Sequence, residues 1–263
     1  MSNSRPTAGG GRATNPWLVC FNPQPSARLR LFCFSYAGGS AHAYRQWAGG
    51  LPSGLEILSI QLPGRGARLF EPLYTSLSSA VDNIGRELSP YLDKPFVFFG
   101  HSMGALVSFE TARYLRARGL PRPLHLFVSG RGGPRGRDRD VNLSTLPDDE
   151  LVERLRTFNG ATADLLDNAE LMRMMLPTIR ADFQICETYA YRAVPPLDCP
   201  ISAFGGLDDF DVSRDRLETW QDETTKGFRL RMFPGGHFYL HSSESMLLRA
   251  LESELAQYLR PTV

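Results

Sequence analysis

The feature that most constrains this chain is an apolar run that ends in a glycine-flanked serine and passes directly into a helical segment. Residues 96–104 read Phe-Val-Phe-Phe-Gly-His-Ser-Met-Gly, and the run that opens at Ala105 has helical spacing. A G-x-S-x-G turn between strand and helix is too sharp for flanking side chains, so Gly100 and Gly104 relieve the crowding and leave Ser102 exposed. The Met103 backbone N–H then lies near a helix N-terminus, where a developing oxyanion is stabilised. We expect hydrolytic or acyl-transfer chemistry at Ser102; the alternative is a helix N-cap between ordinary turn glycines.

Strand-like and helix-like segments alternate along most of the chain, which predicts an α/β fold with a mostly parallel central sheet flanked by helices. The predicted strands are 29–35, 55–61, a run from 96, 124–129, 201–204 and 228–233. The predicted helices are 41–48, 78–92, 105–118 and 244–259. Residues 1–16 are predicted to form a disordered tail, because residues 1–14 are rich in Gly, Ser and Arg and lack an apolar signal core. Residues 17–263 then form one domain.

One region breaks the alternation, and we call residues 131–198 the insertion. About seventy residues separate the strands that end at 129 and start at 201, which is far more than an ordinary crossover needs. Within the insertion, Pro177 is expected to kink or divide a helix. That helix is either one of a core-packed pair or part of a lid with a pliable apolar wall. Its apolar residues at helical spacing are Met172, Met175, Leu176, Ile179 and Phe183.

A serine hydroxyl needs a base to take its proton, and that base is usually a histidine. His237 lies in a glycine-rich loop just after the last predicted strand, which is the position that a catalytic base requires. His241 is the second choice, four residues further on. His125 lies inside a strand-like run and is interpreted as a structural residue.

A carboxylate should orient that histidine, and in folds built around this turn it lies between the serine and the histidine in the chain. Asp208 follows the strand at 201–204 and its turn glycines, and it is the first candidate. Asp209 and Asp211 are too close to Asp208 for the sequence to separate them. The alternative is a solvated loop that caps a following helix.

A second oxyanion donor is expected from the loop after an early strand. Residues 34–39 read Phe-Ser-Tyr-Ala-Gly-Gly at that place. The backbone N–H of Ala37 is the best candidate, with Tyr36 next. Since the chain contains neither G-x-G-x-x-G nor Gly-Lys-Ser/Thr, this glycine loop does not predict a nucleotide site.

The net charge and the cysteine content limit which classes of ligand the chain is expected to bind. The formal net charge is +1, which implies no bulk attraction to nucleic acid or to an anionic membrane. The scattered cysteines have no partner at metal-binding spacing, so idle thiols in a reducing cytoplasm are expected and no cofactor or metal is predicted. These cysteines are Cys20, Cys33, Cys186 and Cys199.

Five segments together resemble the type II thioesterases that accompany polyketide synthases and nonribosomal peptide synthetases. They are 34–40, 61–68 (Gln-Leu-Pro-Gly-Arg-Gly-Ala-Arg), 100–105, 204–208 and 233–240. The segment 61–68 is the most specific to this group, because generic esterases carry the serine and histidine motifs without it. The first loop reads Phe-Ser-Tyr where many relatives have a proline before the tyrosine, a difference that leaves the backbone donor unaffected.

The resemblance implies an α/β-hydrolase fold with a helical lid insertion, and an editing enzyme that removes wrong acyl groups from the phosphopantetheine arm of carrier proteins. It implies Ser102 as nucleophile, His237 as base, Asp208 as the orienting acid, and Ala37 and Met103 as oxyanion donors. It also implies acyl or peptidyl carrier domains as partners, and separately we expect a monomer. The alternatives are a chain-releasing thioesterase or cyclase, a generic carboxylesterase, and a non-catalytic binding protein with a hydrolase fold.

Carrier proteins are usually acidic, and a basic surface could complement them. The candidate arginines lie at the end of one predicted helix and at the start of the insertion. The alternative is a solvated helix end whose charge favours the helix dipole. The candidates are Arg113, Arg116, Arg118, Arg122 and the stretch 131–139.

Overall fold

The computed structural model describes residues 15–136, 142–158 and 168–260. Most of the predicted tail, residues 1–14, lies outside the described residues, as does part of the basic stretch at 137–139. Asn15, the first described residue, is attached to the domain, because its side-chain amide donates a 3.1 Å hydrogen bond to Glu87. Among the described residues, no helix combines the length and the apolar character that crossing a membrane requires.

The core of the protein is a seven-stranded sheet with strand order β1-β3-β2-β4-β5-β6-β7. Only β1 is antiparallel, and it pairs with β3 at the edge of the sheet; the remaining neighbours are parallel. The strands are β1 (Leu18–Val19), β2 (Leu29–Phe34), β3 (Leu55–Ile60), β4 (Phe96–His101), β5 (Leu126–Ser129), β6 (Ile201–Gly206) and β7 (Phe228–Phe233). The strand predictions are therefore confirmed, with small differences at the ends.

Helices cover both faces of the sheet, because residues of the inner strands are shared between two apolar clusters on opposite faces. In β2, Phe32 packs into the cluster that contains α2, α3 and Trp220, and Leu31 packs into the cluster that contains α1 and α8. The α-helices are α1 (Trp47–Gly50), α2 (Leu77–Leu88), α3 (Met103–Ala117), α4 (Asp148–Thr157), α5 (Ala169–Glu187), α6 (Arg214–Glu218), α7 (Tyr239–Ser242) and α8 (Glu244–Leu259). Short 3₁₀ segments lie at Ala41–Tyr44, Gly66–Arg68, Ser89–Tyr91, Leu143–Thr145 and Thr219–Glu223.

The insertion contributes α4 and α5, and Pro177 does not divide α5, which was one of the two effects expected of it. A proline inside a helix costs about 3 kcal/mol, and each fully buried apolar side chain contributes about 1.5–3 kcal/mol. The buried apolar side chains along α5 offset the missing hydrogen bond: Met172, Leu176, Ile179 and Ile185.

The strand order reverses around β2, since the chain moves from β2 to β3 on one side and then returns to β4 on the other. In sheets of this kind, ligands bind beyond the carboxyl ends of the strands at such a switch point. The loop after β2 and the turn after β4 meet there, and these two segments carry the predicted oxyanion donors and Ser102.

Candidate active site

Ser102 occupies a strained turn between β4 and α3. Its φ is +53° and its ψ is −117°, and among the described residues it is the only one other than glycine with a positive φ. The backbone is held there because the Ser102 N–H donates a 2.8 Å hydrogen bond to the Ser129 carbonyl of the neighbouring strand. Such a conformation costs on the order of 1–3 kcal/mol and persists only where the surrounding structure imposes it.

The two flanking glycines are required by close backbone approach. A Cβ on Gly100 would lie 2.1 Å from the Gly104 carbonyl oxygen, and a Cβ on Gly104 would lie 2.1 Å from the Phe34 carbonyl oxygen. No side chain fits at either position, as the sequence predicted. Met103 is the first residue of α3, so its N–H has no partner within the helix and remains available at the helix N-terminus.

His237 lies in the loop after β7 and is paired with a buried carboxylate. Its Nδ1 lies 2.8 Å from Oδ2 of Asp209, whose side chain is 1% exposed. The other carboxylate oxygen, Oδ1, accepts hydrogen bonds from the N–H groups of Asp211 (3.0 Å) and Val212 (3.1 Å). A carboxylate oxygen can only accept a hydrogen bond, so this contact keeps a proton of His237 on Nδ1. Nε2 is then left as the proton acceptor.

The sequence prediction of Asp208 as this partner is wrong, because Asp209 holds that position. Asp208 is exposed, and its backbone N–H donates to the Gly235 carbonyl, which continues the pairing beyond β6. The Asp209 N–H then turns back to the Gly206 carbonyl. This turn directs the side chain of the second aspartate inward, toward His237.

A cavity of about 600 Å³ joins the predicted catalytic groups. Ser102, His237, Ala37 and Met103 all line it, so four of the five predicted catalytic and oxyanion positions meet at one place. The Ala37 loop also borders β4, since β2 and β4 are paired in parallel up to Phe34 and Gly100.

Among the five predicted lid residues, Phe183 lines the cavity. Three of the others are buried in a cluster with Leu143, Leu151 and Phe158, and Met175 and Phe183 pack on the same cluster. The core-packed reading therefore fits Met172, Leu176 and Ile179, and the cavity-wall reading fits Phe183.

The other histidines have different surroundings. His241 lies with its Nε2 3.1 Å from the Tyr36 hydroxyl, and burial lowers its pKa. His125 is buried, with Nε2 2.9 Å from the Ser202 hydroxyl, as expected for a structural residue. Burial holds the pKa of His101 well below its usual range, with His237 a further cause, so His101 is neutral beside the nucleophile.

The sequence reasoning missed several charged residues of the cavity. Arg216 and Glu187 line it, as do Arg131 and Arg135, which were considered only for a docking surface. No local motif marks these positions, because they come from three separate segments. Within the parts of the chain that the structure describes, no group of three His, Cys, Asp or Glu side chains could hold a metal ion.

A parallel sheet with a strained serine after β4, a buried aspartate after β6 and a histidine after β7 defines a serine hydrolase with the α/β-hydrolase fold. Residues 29–255 match the Thioesterase domain family, and the chain belongs to this family.

The relatives agree with this assignment. The Gramicidin S biosynthesis protein GrsT of Aneurinibacillus migulanus is 41% identical over 249 residues, which covers 95% of this chain and 97% of the relative. A protein named Linear gramicidin dehydrogenase LgrE, of Brevibacillus parabrevis, is 44% identical over 246 residues, with 92% and 94% covered. The solved structure of the type II thioesterase BorB from the borrelidin biosynthetic cluster aligns with a TM-score of 0.85 at 35% identity, over 95% of this chain and all (100%) of that chain. The resemblance to type II thioesterases is thus confirmed.

Proposed function

We propose that the protein is an editing thioesterase that removes stalled or wrong acyl groups from the phosphopantetheine arm of carrier proteins in a polyketide or nonribosomal peptide pathway. The observation that carries the proposal is the Asp209–His237 pair on the same cavity as Ser102, in a chain that belongs to the thioesterase family. We expect it to act in the cytoplasm as a monomer.

The geometry supports a two-step reaction through an acyl-serine. His237 Nε2 takes the proton of Ser102 as its oxygen attacks the thioester carbonyl, and Asp209 stabilises the imidazolium that forms. The N–H groups of Ala37 and Met103 stabilise the tetrahedral oxyanion. The C–S bond then breaks, the pantetheine thiol leaves with the proton from His237, and a water activated by His237 releases the acid. No step draws on a cofactor.

The test compares thioesters with oxygen esters. Wild-type protein should hydrolyse acetyl- and propionyl-pantetheine thioesters faster than matched oxygen esters, and Ser102→Ala should abolish both turnover and covalent labelling by a fluorophosphonate. A preference for the oxygen esters would favour a carboxylesterase. Failure of the native protein to be labelled would favour a binding protein.

The name of LgrE raises hydride transfer as a second candidate, and the loop after β2 argues against it. A dinucleotide cofactor needs free backbone N–H groups at a glycine turn for its pyrophosphate. Here the Gly38 N–H is already bonded to Asp182 at 2.7 Å, and a Cβ on Gly38 would lie 2.9 Å from Ile179. The loop is thus packed against α5.

The expected basic docking surface is only partly available to a carrier. Arg113 donates to the Arg192 carbonyl, and Arg116 donates to the carbonyls of Pro195 and Pro196. The guanidinium groups at the end of α3 therefore hold the segment that leaves the insertion.

Arg131 and Arg135 differ in how far each is available to a carrier. Arg131 is 8% exposed and its carbonyl accepts the indole N–H of Trp220. Arg135 has a half-exposed side chain (52%) paired with Glu223 and lies at the cavity. We propose that the carrier docks beside Arg135.

Arg122, another of the sequence candidates, provides a matched control: it is not among the residues that line the cavity, and its side chain is 53% exposed and also paired with an acid. Arg135→Glu should weaken turnover of carrier-bound thioesters and spare small pantetheine thioesters, and Arg122→Glu should leave both unchanged. Equal losses on the two substrates for Arg135→Glu would contradict the docking site.

A further inference from the structure

The segment at 61–68 contributes no residue to the Ser102, His237 and Asp209 group, yet one of its arginines forms a buried ion pair. Arg65 donates from Nη1 to Asp182 Oδ2 and from Nη2 to Asp182 Oδ1, both at 2.8 Å. The side chains are 7% and 2% exposed. This bidentate pair joins the loop after β3 to helix α5 of the insertion.

Both partners of the pair also hold the loop that carries Ala37. Asp182 Oδ2 accepts the Gly38 N–H at 2.7 Å, and Arg65 Nη1 donates to the Gly39 carbonyl at 2.9 Å. The Gly38 nitrogen belongs to the planar peptide group that begins with the Ala37 carbonyl. Fixing that group restricts the backbone immediately after Ala37, and with it the direction of the Ala37 N–H.

Helix α5 meets the same loops through two neighbouring residues. The Thr178 hydroxyl donates to the Gly64 carbonyl at 2.8 Å. Ile179 packs so closely on Gly38 that an added Cβ there would lie 2.9 Å from its Cγ1. Residues 178, 179 and 182 lie on one face of a helix, so this face is attached to the loops after β2 and β3.

The polar groups of the pair are well satisfied, which a buried charge requires. Asp182 accepts three hydrogen bonds, two from Arg65 and one from Gly38. The Arg65 Nε also donates to the Pro63 carbonyl at 3.2 Å. An apolar pair of the same volume could fill this space, but it would leave the Gly38 N–H without its acceptor. The charges therefore give the loop one defined geometry.

We infer that Arg65 and Asp182 are positioning residues that hold the Ala37 N–H toward the oxyanion, so that α5 is a fixed wall of the site rather than a segment that swings away during turnover. The inference rests on the proposed function, because it assigns Ala37 as an oxyanion donor.

The test is Asp182→Asn, which keeps the size of the side chain and removes its charge. Loss of one oxyanion donor lowers kcat by about 10²–10³-fold, and a misplaced donor costs on the order of 10²-fold. We expect kcat on acetyl-pantetheine thioester to fall by about 10–100-fold, with KM changed by less than about threefold. Affinity for a boronic acid that forms a tetrahedral adduct with Ser102 should fall in proportion, and affinity for the acetate product should not.

A matched control lies at the opposite ends of the same two strands. Arg30, which is 3% exposed, pairs with Glu56 at 2.7 Å, near the starts of β2 and β3. Glu56→Gln should lower the thermal midpoint much as Asp182→Asn does and leave kcat and boronate affinity unchanged. Arg65→Lys is the second variant if Asp182→Asn does not fold, because lysine keeps the charge and loses the bidentate geometry; kcat should again fall with KM preserved.

Unchanged kcat and boronate affinity in folded Asp182→Asn would overturn the inference, as would a rise in KM alone. The rate at which a fluorophosphonate labels Ser102 separates this result from failure of the proposed function. If the wild type labels well but does not hydrolyse thioesters, the thioesterase proposal fails. Slower labelling of Asp182→Asn would still support the positioning role, and equal labelling would reject it.

Discussion

The replacement of Asp209 by asparagine tests the orientation of His237 most directly. The carboxylate of Asp209 faces donors on both sides: His237 Nδ1 at 2.8 Å, and the N–H groups of Asp211 and Val212 at 3.0 and 3.1 Å. An asparagine amide has one oxygen and one NH₂ group. Directing its NH₂ toward two backbone N–H groups would oppose donors with donors, so the amide oxygen must take that side and the NH₂ must face His237.

This orientation forces Nδ1 to accept a hydrogen bond, which moves the imidazole proton to Nε2. The histidine then has no lone pair for the Ser102 proton. In serine hydrolases this change of tautomer lowers kcat by about 10⁴-fold, which corresponds to about 5.4 kcal/mol of barrier. We expect a loss of that order in Asp209→Asn, with a thermal midpoint close to that of the wild type.

The assay is the release of free thiol from acetyl-pantetheine thioester, followed with a chromogenic disulfide. Asp208→Asn is the matched control, because Asp208 is the exposed neighbour of Asp209; its kcat should stay within about twofold, as is usual for a surface change. Asp209 is not the residue that orients His237 if Asp209→Asn keeps the kcat of the wild type. The same holds if Asp208→Asn loses as much activity as is expected for Asp209→Asn.

Three further predictions concern packing, pH and chain-length preference. Gly104→Ala places a Cβ 2.1 Å from the Phe34 carbonyl oxygen. The free energy of unfolding, measured in urea, should therefore fall by about 1–3 kcal/mol or more. Gly49→Ala, whose added Cβ meets nothing within 4 Å outside its own helix, should cause no such loss. Burial, with the charge of Arg229, lowers the pKa of His125 to about 4; the unfolded chain then binds one more proton between pH 6.5 and 4. Over this pH range, His125 should lower the free energy of unfolding by up to about 1.4 kcal/mol for each unit of acidification. This contribution to the pH dependence should be absent in His125→Gln. Phe183→Ala removes a side chain from the wall and enlarges the cavity. The ratio of kcat/KM for a bulkier acyl thioester to kcat/KM for a smaller one should rise by about tenfold. An unchanged ratio would show that Phe183 does not contact the acyl group.

Parts of the fold that depend on local patterns could be predicted from the sequence. The strand at Phe228–Phe233 and the helix at Glu244–Leu259 have the predicted bounds. The turn around Ser102 has the predicted conformation, because crowding at its two glycines follows from the turn itself. Where a prediction required the balance of several contacts, the sequence left alternatives open: Pro177 was expected to kink or divide a helix, and that helix is not divided.

The choice between Asp208 and Asp209 could not be made from the sequence, since both have the same chemistry and are adjacent. It depends on the turn from β6, in which the Asp209 N–H bonds back to Gly206. The sequence was also unable to separate the predicted lid residues into buried and cavity-lining ones. Helical spacing identified an apolar stripe on α5, but it does not show that Phe183 lines the cavity while Met172, Leu176 and Ile179 are buried in a cluster.

The predicted nucleophile, the predicted base and their order along the chain come from the sequence alone, because each is marked by a short motif at the end of a strand. Only the folded structure shows which carboxylate reaches His237 and which residue Arg65 contacts. Arg65 and Asp182 lie 117 positions apart, and their pairing depends on how the insertion folds back over the loops after β2 and β3. No local pattern encodes such a contact, because it forms only when the sheet has brought those loops to one edge.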